Sequence, residues 1–192
     1  MYIKDNYIKS SKLSSLSGAI IMFTKDKFDL RSLSKFLTTS ENNILKKNLR
    51  KADLKKNIFS FDLNHNQKII LLSLKKSKTG YNLENQGAKT FDFLKIQGLH
   101  KLNILAKTLE IIDDKDPIYD FVHGMKLKSY SFDKYKSKKE TRPIIVNVIG
   151  TNKLNKVIIK KLNAIEKGVN FTKDLVSEPG NILHPDEYAK RL

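Results

Sequence analysis

Few residues in this 192-residue sequence are of types that do chemistry, and fewer still are spaced for it. The histidines are His65, His100, His123 and His184. No two of them recur at i, i+3 or i+4, so the sequence carries no local zinc signature. Asp113, Asp114 and Asp116 cluster in "DDKD". A hard cation could use those carboxylates. They read better as the start of a helix, with Asp116 as N-cap and Pro117 in the first helical position, where negative charge complements the dipole. Serines are plentiful, but none sits in a GxSxG elbow that would present it as a nucleophile. The eight glycines are isolated, with no GxG or GxxxxGK to wrap a phosphate. Cysteine is absent, which excludes thiolate chemistry and disulfides. The residues themselves nominate no catalytic group and no metal ligand.

The remaining chemistry is charge. The formal net charge is +17, from 37 basic and 20 acidic residues. Residues 126–142 concentrate it: Lys126, Lys128, Lys134, Lys136, Lys138, Lys139 and Arg142 surround Tyr130, Phe132 and Tyr135. Basic residues interleaved with aromatics can hold a single-stranded nucleic acid by stacking and phosphate contact. Lys134, Lys136, Lys138, Lys139 and Arg142 are therefore the candidate polyanion contacts. Against this, only Arg31, Arg50, Arg142 and Arg191 are arginines, and the planar guanidinium is the favoured phosphate clamp. A lysine-rich, AT-biased composition with a solvated surface explains the charge more simply.

The elements that must position these groups follow from hydrophobic spacing. Apolar residues form 40% of the chain, enough for a core. The apolar runs "AIIMF" and "IILL" are strand-sized, and the N-terminus lacks the apolar segment of a signal peptide. The expectation is a soluble, cytoplasmic protein with no membrane partner. Strands are predicted at 18–23, 57–63, 68–74, 101–106 and 143–149, and helices at 29–37, 82–98 and 116–130. The second helix is expected to bury Leu83, Ala88, Phe91, Leu94 and Ile96 and to stop at Gly98. Strands alternating with helices argue for an α/β fold of three layers around a mostly parallel sheet. That domain is placed at residues 1–150. A long helix over 151–176 follows, with Leu154, Ile158, Leu162, Ile165 and Val169 as its stripe and a bend allowed at Gly168. "SEPGN" breaks that helix, and "HPDEYAKRL" opens another just as the sequence stops. Residues 177–192 are accordingly expected to begin a further domain of a larger enzyme.

Two stretches together resemble one family. "HGMKLKSYSFDKYKSKK" (123–139) resembles a helix leading into a Tyr-x-Phe-Asp-x-Tyr-Lys connection, here Tyr130, Phe132, Asp133, Tyr135 and Lys136. "NFTKDLVSEPGNILHPDEYA" (170–189) resembles an Arg/Lys-Asp-Leu-Val-Asn-Glu-Pro-Gly/Ala-Asn segment, here Lys173, Asp174, Leu175, Val176, Ser177, Glu178, Pro179, Gly180 and Asn181. Both occur, in this order, in the leucyl (cytosol) aminopeptidases. Ser177 departs from the family asparagine, and Lys126 and Lys128 from apolar or glycine positions. The resemblance implies a macro-like N-terminal domain joined by a linker helix to a catalytic domain that cuts N-terminal residues from peptides. It also implies two divalent metals, zinc or manganese, and a homo-hexamer. The segment that carries the family's metal ligands is not in this sequence, so this stretch is expected to be non-catalytic. Two other readings stand beside it: a structural or oligomerisation domain, and a basic nucleic-acid-binding domain.

Overall fold

A computed structural model describes residues 2–9, 13–51, 53–76, 82–110, 112, 117–138, 142–150 and 155–192. Asp113, Asp114, Asp116, Lys139 and Leu154 lie outside the described residues. Six strands form one sheet in the order β1-β6-β5-β2-β4-β3. They are β1 (Ile3–Ile8), β2 (Gly18–Lys25), β3 (Ile58–Asn64), β4 (Gln67–Leu74), β5 (Lys101–Leu105) and β6 (Ile144–Ile149). All neighbours run parallel except β3 and β4, an antiparallel hairpin at one edge. The helices are α1 (Thr39–Leu49), α2 (Leu83–Ile96), α3 (Ala106–Glu110), α4 (Ile118–Ser129), α5 (Lys156–Ser177) and α6 (Pro185–Arg191).

The sheet is apolar on both faces, and alternation along β2 divides its side chains between two cores. Ile21 and Phe23 join Ile70, Leu72, Leu94 and Phe121 under α2 and α4. Ile20 and Met22 join Ile69, Leu71, Leu33 and Leu45 on the opposite face, where α1 lies. Period-two geometry produces this split, and it is why the central strands read as continuous hydrophobic runs. The result is the α/β, mostly parallel, helix-flanked sheet expected from the sequence.

Two elements differ from the expectation. The 29–37 segment is a 3-10 turn at Leu30–Leu33, not an α-helix. The true helix starts later, because Thr38 resets the chain: its hydroxyl accepts from the Glu41 N–H at 3.3 Å, and the Glu41 carboxylate accepts from the Thr38 N–H at 2.7 Å. This capping box fixes α1 at Thr39. Strand β1 is the second. Its inward positions are Ile3, Asp5 and Tyr7, and the carboxylate at the middle one hides the apolar alternation.

Helix α2 begins at its Asn82 cap and ends as expected at Gly98, which has φ +64°. Gly98 N–H donates to the Lys95 carbonyl at 3.1 Å, and Leu99 N–H to the Leu94 carbonyl at 3.0 Å, a Schellman closure. The buried face is Leu83, Gly87, Thr90, Phe91 and Leu94. Ile96 points out, 81% exposed, because position 94 already closes the last turn onto the sheet. Gly87 and Gly124 let α2 and α4 approach backbone to backbone. A Cβ on Gly87 would sit 1.9 Å from the Phe121 carbonyl oxygen, and one on Gly124 would sit 1.9 Å from that of Glu84. Helix α5 starts at its Asn155 cap and runs unbroken through Gly168. Ile158, Ile159 and Leu162 pack onto the first core.

Candidate functional site

The two stretches that carry the family resemblance meet in space. Helix α4 ends at Ser129, and Tyr130 turns the chain into extended backbone. The connection then folds around Asp133. That carboxylate accepts from the Lys136 ammonium at 2.5 Å and from the Ser131 hydroxyl at 2.8 Å. These two bonds, Lys136 first, hold the Asp133 carboxyl below its usual range.

Helix α5 supplies the other side. The Tyr130 hydroxyl donates to Asp174 Oδ1 at 2.8 Å. Lys173 Nζ sits 5.0 Å from the centre of the Tyr130 ring and donates to the Leu127 carbonyl at 2.9 Å. Consecutive residues of α5 thus take the ring face and the hydroxyl of one tyrosine. Burial, then the bond to Asp174, raises the Tyr130 phenol above its ordinary pKa.

Glu178 closes the arrangement just past the end of α5. Its side chain is only 2% exposed. It accepts from the Lys134 ammonium and the Tyr135 hydroxyl, and from Arg191 Nη1 at 2.9 Å. Bonds from Lys134, then Tyr135, then Arg191 bring the Glu178 carboxyl down to about 2. Arg191 also binds Glu187 at 3.0 Å, one turn back on α6. One carboxylate therefore ties the α4 connection, the end of α5 and α6 together. Sequence reasoning missed Arg191. Its only local signal is the i, i+4 spacing from Glu187, and nothing local points it at Glu178.

The other residues of these stretches have simpler places. Leu175 is buried. Phe132 packs edge-on against Tyr135, with ring centres 5.8 Å apart. Pro179, Gly180 and Asn181 are an exposed turn, in which the Pro179 carbonyl accepts from the N–H groups of Ile182 at 2.9 Å and Leu183 at 3.0 Å. A cleft of about 450 Å³ opens beside the junction, lined by Phe132, Lys134, Phe171, Asp174, Glu178 and Arg191 among others.

The structure divides the five candidate polyanion contacts. Lys134 and Lys136 are engaged by Glu178 and Asp133, while Lys138 and Arg142 are exposed. The stripe expected on the long helix is likewise divided. Ile158 and Leu162 face the sheet domain, whereas Ile165 is exposed; outside that stripe, Phe171 is exposed as well, and Val176 is 82% exposed.

No established family profile matches the chain. A probable cytosol aminopeptidase from Phytoplasma mali is 38% identical over 99 residues, which are 48% of this chain and 20% of that protein. The chain spans about a fifth of the length of the curated relatives it matches. The chain is similar to the cytosol aminopeptidases. Solved structures carry the same fold: a mutant tomato leucine aminopeptidase aligns at TM-score 0.72 with 15% identity, covering 99% of this chain and 42% of the other. The bottromycin maturation enzyme BotP in complex with Mn aligns at TM-score 0.59 with 13% identity, covering 92% and 35%.

The described residues do not fit the pair of divalent metals that this resemblance implies. Among the described residues, no group of three or more histidine or carboxylate side chains lies together as a donor set. At the junction Asp133, Asp174 and Glu178 already accept from cations or hydroxyls.

Proposed function

We propose that this chain is the N-terminal portion of a cytoplasmic metallo-aminopeptidase that releases N-terminal residues from peptides. Residues 1–150 form its macro-like domain, residues 151–176 its linker helix, and residues 177–192 open the catalytic domain. The identity to cytosol aminopeptidases supports this reading. The observation that carries it is the junction. The Tyr130–Lys136 connection and the Asp174–Asn181 segment, both found in the family, bind one another through Tyr130–Asp174 and through Lys134 and Tyr135 on Glu178. A linker helix fixed at that end transmits the position of the sheet domain to whatever follows it. The metals, zinc or manganese, and the peptide site belong to the part of the protein beyond this chain, and the assembly is a homo-hexamer.

The test is turnover of leucine p-nitroanilide with added manganese. The longer protein, expressed with the coding sequence that follows Leu192, hydrolyses it, and the 192-residue chain does not. Turnover by the 192-residue chain itself overturns the division of labour. A stop codon directly after Leu192 overturns the whole-protein reading. A structural role for the chain is then favoured by the exposed Ile165, Phe171 and Val176 of α5.

A further inference from the structure

A second polar cluster lies where α5 meets the sheet domain, away from the junction. Lys126 on α4 is largely buried. Its ammonium reaches Asp5 of β1 at 2.8 Å, Asn163 of α5 at 3.4 Å and Glu166 of α5 at 3.8 Å. One turn earlier on α4, His123 is 4% exposed. Its Nδ1 lies 3.3 Å from Glu84 Oε2 on α2. A carboxylate accepts, so Nδ1 carries a proton in this contact, and in the Nδ1–H tautomer Nε2 is the ring's acceptor. Nε2 is buried and has no hydrogen-bond partner among the described residues. Buried acceptors of this kind are normally satisfied by protein or by ordered water. The ring borders a cavity of about 10 Å³, whose lining includes Asp5, Tyr7, Tyr119, Lys126 and Asn163. That is roughly the room a single water needs.

We propose that this cavity is a binding site for one water molecule, which donates to His123 Nε2 and takes its other partners from Asp5, Tyr7 and Asn163. Apolar Val122, Ile159 and Leu162 share the lining with Asp5, Tyr7 and Asn163, and those three polar side chains are enough for the two to four partners a buried water requires. Burial, then the neighbouring Asp5 charge and a hydrogen bond to Asp5, raises the Tyr7 phenol, so its hydroxyl keeps its proton, gives it to Asp5 and offers the water its oxygen as an acceptor. The water joins α4 to β1 and α5, so the N-terminal half of α5 sits on the domain through a hydrated seam flanked by Ile159 and Leu162. This inference does not depend on the aminopeptidase reading.

The experiment uses the 192-residue chain, labelled with 15N-histidine, and needs no added ligand. Long-range proton–nitrogen correlation should show His123 protonated at Nδ1 and hydrogen-bonded at Nε2. A rotating-frame Overhauser peak should connect its ring protons to a long-lived water, and a crystal structure below about 1.5 Å should place one water peak within hydrogen-bond distance of Nε2. His123→Phe keeps a ring and removes the acceptor, so the water signal should vanish with the amide spectrum otherwise preserved. An Nε2–H tautomer overturns the proposal. So does a Lys126 ammonium found directly on Nε2, or a water signal that persists in His123→Phe. If that variant does not fold, the wild-type tautomer and Overhauser peak still decide.

Discussion

Helix α4 is held at two places by opposite means. Along its body, Gly124 faces Glu84 of α2, and Gly87 of α2 faces Phe121, backbone against backbone with no space for a methyl group. At its exit, long side chains with exposed flanks reach across: Tyr130 to Asp174, and Lys134 and Tyr135 to the buried Glu178 carboxylate. The first contact rests on shape and apolar burial, which close packing makes intolerant of added volume. The second rests on charge and hydroxyls, which side-chain flexibility makes forgiving. The fold should therefore fail at the seam and only loosen at the junction.

The sharpest break of that contrast is Gly124→Ala. Its Cβ would meet Glu84 backbone atoms at 1.9 to 2.8 Å, so urea denaturation should show a loss of about 3 kcal/mol, the upper end for overpacking. A smaller effect, of opposite sign, is expected at Gly168, the glycine within α5. Nothing lies within 4 Å of the place an alanine methyl would take there, and Gly168→Ala should stabilise by about 0.5–1 kcal/mol in the same assay. A loss at Gly168→Ala would mean that this face of the helix is covered in solution.

The smallest global effect belongs to Glu178→Gln, which keeps the shape and removes the charge. Hydrogen exchange in α6 should quicken while the amides of the sheet stay protected. The folded Glu178 carboxyl titrates at about 2, against an ordinary value of 4.5. Its contribution is therefore complete above about pH 4.5 and is lost as pH falls towards 2. Once intrinsic exchange rates are divided out, protection in α6 should fall across that acid window in the natural protein and stay level there in Glu178→Gln. An α6 that behaves identically in both would remove Glu178 as the tie.

The sequence made the centre of the sheet legible and its margins much less so. The strands β2 and β4 are apolar on both faces, so their runs announce themselves. In β1 the half-buried middle position is Asp5, neutralised by Lys126 more than a hundred residues later, so no local pattern marks it. Helix α1 buries only Leu45, too thin a stripe to read, although the Thr38–Glu41 capping pair was there to be seen. At the junction, the types and order of Tyr130, Asp174 and Glu178 were recognisable. Their partners were not, because Tyr130 and Asp174 are 44 positions apart, and Arg191 reaches Glu178 from a separate helix. Glycine spacing likewise says nothing of what a missing Cβ makes room for until two helices are seen to cross.

The placement of β1 has a consequence for synthesis. Asn6 and its β6 partner Asn147 are 141 positions apart, and the described residues of β1 pair only with β6. Strand β1 thus leaves the ribosome long before the partner it pairs with. At roughly 5–20 residues per second, it waits on the order of ten seconds, while β2, β4 and β3 can already assemble beside one another. Its alternating Lys4 and Asn6 suit that interval, since a nascent strand with polar residues on one side is a poor template for association with its neighbours on the polysome.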